Sequence, residues 1–458
     1  MLNIQSDSRK IKKGDTFIAL QCEVNDGHAY IEKAIENGAS KIIAEHGNYS
    51  IPTQIVKNTR SYLENYLKEN YNHYLDDMTL IGITGTNGKT TSAYLIYQAL
   101  NMLGVKTAYI GTIGFFMDKK IMNLPNTSVD ICDTYDLLMR AYDAGYKTVI
   151  METSSHALYN GRLKTIHFDY AIFTNLTQDH LDYHKTMENY ALAKQILFHS
   201  LKKNGVAIVN ADDSYKDYFL LKENKNFTYG FEKSDYQIHD IKMSHQGSTF
   251  FVNQLPMKTK LIGRYNIYNI TVAVALLKQF HFEDNEIADV VKKLDAPAGR
   301  MDKIEYKNNS IIIDYAHTPD ALENFISTVK EFVQGDIYIV FGCTGERDRT
   351  KRPIMTNIVG SYAKYFIITN DDPHFEDPNQ IVADMTKGIQ YQNYEVCLDR
   401  KKAIEKGIER LTKNDVLLIL GKGHEEFMVI GKEKIPFNDK KVVLEYLEKH
   451  SKEGDEIC

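Results

Sequence analysis

The sequence has no Cys-x-x-Cys pair, no excess of basic residues and no apolar run near the roughly 18 residues that a membrane span needs. Each absence removes a class of function. The five cysteines, Cys22, Cys132, Cys343, Cys397 and Cys458, are odd in number and widely scattered, so neither a disulfide framework nor a zinc site is expected and a reducing cytosol suits the chain. A formal net charge of -6 leaves no basic footprint for nucleic acid. The first residues lack a basic stretch followed by an apolar core, and no short-period repeat or low-complexity segment interrupts the chain. The expectation is a cytoplasmic protein acting on small molecules, with no nucleic-acid or membrane partner and a monomeric state. At 458 residues it has room for about three domains of roughly 150 residues, and 43% hydrophobic content supplies a core for each.

What is present is organised around Gly82-Ile83-Thr84-Gly85-Thr86-Asn87-Gly88-Lys89-Thr90-Thr91. This stretch follows a strand-like apolar run, Met78 to Ile83, and opens a segment with helical spacing at Ala93, Leu95, Ile96, Ala99, Leu100 and Leu103. A glycine loop between strand and helix aims backbone N–H groups and a helix N-terminus at an anion. Lys89 adds a cation for the β- and γ-phosphates and Thr90 a hydroxyl for Mg²⁺. The stretch therefore reads as an ATP phosphate cradle. Ile83 stands where the usual motif has its first glycine, so the match is to Gly-x-x-Gly-Lys-Thr.

Around this loop the chain divides into three parts. Residues 1–77 pair short strand-like runs (Thr16 to Leu20, Lys41 to Ala44) with a helical pattern at Tyr30 to Asn37 and a tyrosine-rich helix from Tyr62 to Tyr74. Residues 78–299 repeat one rhythm, in which an apolar run ends in a polar or acidic residue: Met151 into Glu152, Phe173 into Thr174-Asn175, Val209 into Asn210. Helical patterns between such runs predict a mostly parallel sheet covered on both faces, with ligands at the carboxyl ends of its strands. An antiparallel stretch is expected from Asn226 to Leu261 and a helix from Ile267 to Phe280. A linker is expected at Ala296 to Arg300. Residues 300–458 repeat the rhythm without a phosphate loop, which predicts a second doubly wound, Rossmann-like domain facing a shared cleft.

Glu152, at a strand end, suits a Mg²⁺ ligand. Thr174 to His184 is dense in hydrogen-bonding and metal-capable side chains. Arg300, Arg347, Arg349, Lys351 and Arg352 form a cationic set suited to a substrate with several negative charges. Lys194 lies in a helical pattern of little charge and, from the residues alone, reads as a solvated helix lysine.

Six motifs, in order, carry a resemblance that runs from Asp7-Ser8-Arg9 to the final helix. They are Gly85 to Thr91, Glu152 to His156, Thr174 to His180, Gly263 to Asn266, Asp314 to Pro319 and Gly421 to Glu425. The chain resembles the Mur ligases, in detail their tripeptide-forming members. The resemblance implies an ATP-dependent, ADP-forming ligase of peptidoglycan synthesis. The D-glutamyl carboxylate of UDP-N-acetylmuramoyl-L-alanyl-D-glutamate would take the γ-phosphoryl group, and the amine of a free amino acid would displace phosphate from the acyl phosphate. By matching motifs, Gly85, Thr86, Asn87, Gly88, Lys89, Thr90 and Thr91 would cradle ATP, with Asn266, Arg300 and Asp314 on the nucleotide. Thr90, Glu152, His180 and a carbamylated Lys194 would serve Mg²⁺, and the catalytic group would be Lys89, Glu152, His180 and Lys194. Ser8, Thr127, Ser128, Ser154, Asn160 and Arg162 would contact the UDP-sugar peptide. The small N-terminal domain would be the UDP-binding one.

The added amino acid rests on one departure. The family's meso-diaminopimelate enzymes carry Asp-Asn-Pro-Arg, where this chain has Asp371-Asp372-Pro373-His374. Asp371, Asp372, Glu376 and Asp377 make the neighbourhood acidic, which favours a side chain ending in an amine, hence L-lysine. The alternative is meso-diaminopimelate or another diamino acid, with a protonated His374 taking a carboxylate. Arg347 would hold the α-carboxylate, with Gly421 and Glu425 near the amino groups. Two further departures touch the UDP-substrate contacts: few residues precede Asp7, and a Thr-Thr-Pro-like segment reads Asn126-Thr127-Ser128-Val129-Asp130. A folylpolyglutamate synthase-like ligase would share the ATP site but lack the Asp7-Ser8-Arg9 domain. A more distant reading is a non-catalytic, nucleotide-dependent wall-assembly partner.

Overall fold

The computed structural model describes residues 2–21, 26–244 and 247–452; Cys22 and Cys458 lie outside them. Three main sheets, each with its own helices, and a two-stranded antiparallel ribbon, Phe427–Ile430 with Glu433–Pro436, make up an α/β architecture. The first has four parallel strands, Ile4–Gln5, Thr16–Ile18, Lys41–Ala44 and Thr53–Ile55. Its alternating side chains divide between two covers. Phe17 and Ile42 meet the helix Ile31–Glu36 through Ile31 and Ala34, while Ile18 and Ile43 meet the helix Thr59–Asp76 through Leu63 and Leu67. Asn58 caps that second helix by accepting from Ser61 N at 2.8 Å. The helix also packs on the neighbouring sheet, sharing one core with Leu80 and Tyr135.

The second sheet has eleven strands, and the phosphate loop leaves its middle. Strand Thr79–Thr84 lies parallel between Thr148–Glu152 and Phe168–Phe173. Burial on both faces explains its continuous apolar sequence. Gly82 is required in it by a close approach: a Cβ there would meet Leu197 Cδ1 at 2.5 Å. The helix Met187–His199 can therefore lie against the loop strand. The expected antiparallel stretch is only half so. Lys225–Gly230 runs parallel to Leu201–Asn210, and the antiparallel pairing begins between Tyr236–Ser244 and Gly247–Val252. Alternating burial reports a covered face and is silent about the direction of the neighbouring strand.

The third sheet has six strands in the order Asp302–Tyr306, Asn309–Asp314, Val416–Leu420, Ile337–Phe341, Tyr365–Ile368 and Tyr394–Val396, all parallel except the first. Its helices pack on both faces, forming two cores around Ile339 and Val340. The stretch Ala296 to Arg300 has neither helix nor strand. Among the described residues no helix is long and apolar enough to cross a membrane.

Candidate active site

The loop after Thr84 is folded onto its neighbour strand. Gly85 has φ +149°, and a Cβ on it would meet Thr174 Oγ1 at 1.9 Å. Thr86 N donates to Asn175 O and Asn87 N to Asn175 Oδ1, both at 2.8 Å, while Thr174 Oγ1 donates to Asn87 O at 2.7 Å. Gly88, at φ +82°, turns the chain into the helix Lys89–Met102. Two lysines from different helices meet at this turn. Lys89 Nζ donates to Gly85 O and Thr86 O, both at 2.8 Å, and Lys194 Nζ donates to the same Gly85 O at 2.7 Å.

Lys194 is not the solvated lysine that its helical context suggested: it is 1% exposed. Its helix turns Tyr190, Ala193, Lys194 and Leu197 inward against the loop strand, and the Tyr190 ring lies 4.4 Å from the amine. Burial pushes the Lys194 pKa well below that of an ordinary lysine, and the charge on Lys89 pushes it further. Burial lowers Lys89 too, with Glu152 and Asp179 opposing. No carboxylate forms an ion pair with either amine among the described residues.

Glu152 ends its strand 1% exposed. Its Oε2 accepts from Thr90 Oγ1 at 2.9 Å and Thr112 Oγ1 at 3.0 Å, and its Oε1 accepts from Thr112 N at 3.0 Å and from the Tyr109 hydroxyl. His180, at φ +54°, has a buried Nδ1 with no partner, and its Nε2 is 3.3 Å from Asp179 Oδ2. Burial pushes His180 down to about 3, so its ring is neutral. A hydroxyl, a carboxylate and a neutral imidazole oriented by an acid are donors that suit a divalent cation.

Thr90, Thr112 and His180 line a cavity of about 740 Å³ between the second and third sheets. Glu152 lies just behind its wall, reached through Thr90 and Thr112. Lys89, Asn266, Arg300 and Asp314 line the same space. Asn266 Nδ2 is spent on Ile262 O at 2.8 Å, and Asp314 accepts from Met301 N and Ala316 N, both at 2.8 Å. Arg300 stacks 4.5 Å from the Tyr315 ring with a buried, unpartnered Nε. Sequence reasoning passed over Tyr229, Tyr268 and Phe325 and gave no role to Tyr265 of the Gly263 to Asn266 motif; all four line this end as well. It also passed over the contacts that join the two sheets: Lys351 to Asp179 at 3.0 Å, Asn87 Nδ2 to Asp320 Oδ2 at 3.0 Å and Gln178 Nε2 to Thr350 Oγ1 at 2.9 Å. The signal for Asp179 was its place in the polar stretch after Phe173; Lys351 stood out with the cationic set, where it read as a substrate contact and not as the partner of Asp179.

The cationic set divides. Arg352 pairs with Glu376 at 2.7 Å and Asp384 at 2.8 Å, Arg349 pairs with Glu376 at 2.9 Å, and Lys351 is held by Asp179. Of the two left, Arg300 and Arg347, both line the cavity. The acidic neighbourhood dissolves for the same reason. Glu376 answers the two arginines, Asp377 caps the helix Pro378–Thr386, and Asp371 and Asp372 face the buried amine of Lys422, with Asp372 at 2.8 Å. His374 and Glu425 line the cavity with Arg347. Gly421, at φ +111°, clears Asp371, whose Oδ2 a Cβ would meet at 2.6 Å. Burial pushes Glu425 up to about 7, against the pull of Lys422.

Of the residues expected on the UDP-sugar peptide, Thr127 and Ser154 line the cavity. Ser128 is buried, donating to Glu152 O and accepting from Ser154 N, both at 2.9 Å. Arg162 reaches Ser128 O at 3.3 Å and Asp130 at 3.1 Å, and Asn160 Oδ1 accepts from Tyr183 at 3.1 Å. Ser8 is buried in the turn after Asp7, beside a separate hollow of about 280 Å³ lined by Asp7, Arg9, Lys10, Asn126 and Asp130. Ser8, Asn160 and Arg162 thus stand apart from the large cavity.

Three α/β units with a phosphate loop on the rim of a shared cleft define a nucleotide-handling enzyme. Family models match each unit: the Mur ligase family catalytic domain over residues 2–78, the Mur ligase middle domain over 83–277, and the Mur ligase glutamate ligase domain over 299–423. The chain is 38% identical over 457 residues to the UDP-N-acetylmuramoyl-L-alanyl-D-glutamate–2,6-diaminopimelate ligase of Bacillus cereus, covering 97% of this chain and 93% of that one. It is 37% identical to the enzyme of that name from Clostridium tetani, covering 97% and 94%. A solved structure of a ligase of that name superimposes with a TM-score of 0.65 at 32% identity over 98% of this chain and 95% of that one. The MurF ligase of Thermotoga maritima in complex with ADP shares the fold, with a TM-score of 0.70 at 19% identity over 98% of each chain. The chain belongs to the Mur ligase family, the ATP-dependent ligases of peptidoglycan synthesis.

Proposed function

We propose that the chain adds 2,6-diaminopimelate, in its meso form, to the D-glutamate of UDP-N-acetylmuramoyl-L-alanyl-D-glutamate. The expectation of L-lysine gives way to its alternative. The relatives named above carry diaminopimelate in their names. The observation in the molecule that supports the change is that the acids behind the lysine expectation already have partners: Lys422 for Asp371 and Asp372, Arg352 and Arg349 for Glu376. A carboxylate can approach such a site. Arg347, exposed on the cavity wall, would take one carboxylate of the amino acid and His374 the other.

In this reading residues 1–77 hold the UDP end, 78–299 the ATP and 300–458 the amino acid. Lys89 and the N–H groups of residues 88–91, those of Thr86 and Asn87 being spent on Asn175, would draw the γ-phosphoryl oxygens in and hold them in line with the glutamyl carboxylate. Thr90, Glu152 and His180 would hold Mg²⁺, which when bound neutralises charge on the phosphoryl oxygens. The attacking amine must be neutral, and Glu425, with its raised pKa, stands where a proton could be taken up. Lys194 fits carbamylation. The neutral amine is the form that adds CO₂, losing one proton to give a carbamate, and burial without an ion-pair partner favours that form.

The test is phosphate release from ATP and Mg²⁺ with the UDP-linked dipeptide, offering meso-diaminopimelate, L-lysine and L-ornithine separately. Release with meso-diaminopimelate is expected. Release with L-lysine alone would overturn the choice of amino acid, and silence with all three would overturn the ligase reaction itself.

A further inference from the structure

Lys422 follows the strand Val416–Leu420 and is 0% exposed, yet three carboxylates surround its amine. Its Nζ lies 2.6 Å from Glu425 Oε2, 2.8 Å from Asp372 Oδ1 and 3.7 Å from Asp371 Oδ1. The same Asp372 oxygen accepts at 2.9 Å from Val429 N of the strand Phe427–Ile430, and His374 is bound to the end of that strand by its own N–H to Val429 O at 3.1 Å and by Gly431 N to His374 O at 2.7 Å. One scaffold therefore fixes Lys422, Asp372 and His374 relative to one another. Asp372, His374 and Glu425 line the cavity, whereas Lys422 sits behind them and touches nothing in it.

A buried cation in that place controls what its acidic neighbours present to the cavity. With Lys422 charged, part of their negative charge is cancelled a few ångströms from the wall, inside a low-dielectric surround where the cancellation is poorly screened. Without it the wall would carry uncompensated carboxylates, which attract an ammonium and repel a carboxylate. Resting on the reading that this end of the cavity takes the amino acid, we infer that Lys422 is the positioning residue that sets selectivity for an amino acid with a second carboxylate over one ending in an amine alone. It acts through Asp372 and Glu425. The acidic Asp371-Asp372 pair is thereby compatible with a doubly carboxylated substrate, although the sequence around it suggests the opposite.

The experiment compares the full-length enzyme with Lys422→Met, Lys422→Arg and Asp372→Asn, measuring kcat/KM for meso-diaminopimelate and for L-lysine, or the inhibition constant of whichever is not turned over. Wild type is expected to favour meso-diaminopimelate. Lys422→Met should lower that preference at least tenfold, through the KM of the amino acid and with the KM for ATP unchanged. Lys422→Arg should restore most of it. Asp372→Asn, which removes one carboxylate and leaves Lys422 in place, should move the preference the other way. A merely structural lysine would lower turnover of both amino acids equally; an unchanged ratio in Lys422→Met and Asp372→Asn overturns the inference. If Lys422→Met does not fold, Asp372→Asn decides alone: a raised ratio supports the inference, and an unchanged or lowered one overturns it. A wild type that uses L-lysine alone fails at the reading of the site, before any variant is made, and takes the inference with it.

Discussion

Two pairs of inward-facing lysines divide the molecule. Among the described residues, Lys89 and Lys194, at the phosphate loop, donate only to the main-chain oxygens of Gly85 and Thr86. Lys351 and Lys422, in the third unit, are bound to carboxylates. The same residue type has opposite properties in the two settings. Carbonyl oxygens satisfy an amine's hydrogen bonds without cancelling its charge, so burial depresses Lys194 and leaves Lys89 an unmet attraction for anions. Carboxylates cancel the charge, so Lys351 and Lys422 organise the walls and have little left for a ligand.

The largest effect is expected at Lys194. Lys194→Ala should lower phosphate release by about a hundredfold or more, the scale of losing one charge-stabilising group at a reacting centre. Lys194→Glu, which returns a carboxylate-like oxygen ligand, should retain more; activity of Lys194→Ala equal to wild type would sink the assignment. The paired lysines should fail differently. Lys351→Met leaves Asp179 buried without its cation and should cost about 3–5 kcal/mol of stability in denaturant unfolding. Adding Asp179→Asn to Lys351→Met should recover part of it, and simple additivity of the two changes would show that the pair is not coupled.

Glu425 sharpens the contrast through pH. Its folded pKa, raised to about 7 by burial, exceeds that of an unfolded glutamate, so the protonated folded form contributes stability below about pH 4.5 that is lost as the pH rises through 7. Thermal unfolding should show wild type losing Tm across that window relative to Glu425→Gln. Parallel profiles would remove Glu425 from the account. The smallest effect belongs to the surface. Arg162→Ala breaks a partly exposed pair with Asp130 and should change stability by less than about 1 kcal/mol. It should raise the KM for the UDP-linked dipeptide while the KM for ATP stays put; an unchanged dipeptide KM would take Arg162 out of that contact.

The two lysine pairs also mark what the sequence could tell. The phosphate loop was legible because strand, glycines, Lys89 and helix are contiguous, and local chemistry determines them. The polar residues ending apolar runs were legible for the same reason, and Glu152, Thr174 and Asn175 do gather at strand ends. Lys194 meets Gly85 across 109 residues, Lys351 meets Asp179 across 172 and Lys422 meets Asp372 across 50. Nothing local distinguishes a lysine that will be buried from one that will be solvated. The resemblance to a family directed attention to Lys194. For the acids near His374, proximity in sequence misled, because the charges that answer them come from Lys422 and Arg352.

The place of the phosphate-loop strand also bears on how the chain is made. Thr79–Thr84 is the first strand of the eleven-stranded sheet to be synthesised, yet both its partners, Thr148–Glu152 and Phe168–Phe173, come later. At roughly 5–20 residues per second the ribosome needs on the order of 3–15 s to deliver even the nearer one. For that interval an apolar strand has no native strand on either edge, although the helix Thr59–Asp76 that covers Leu80 is already made, so the segment that carries the phosphate loop is also the one left open to mispairing during synthesis.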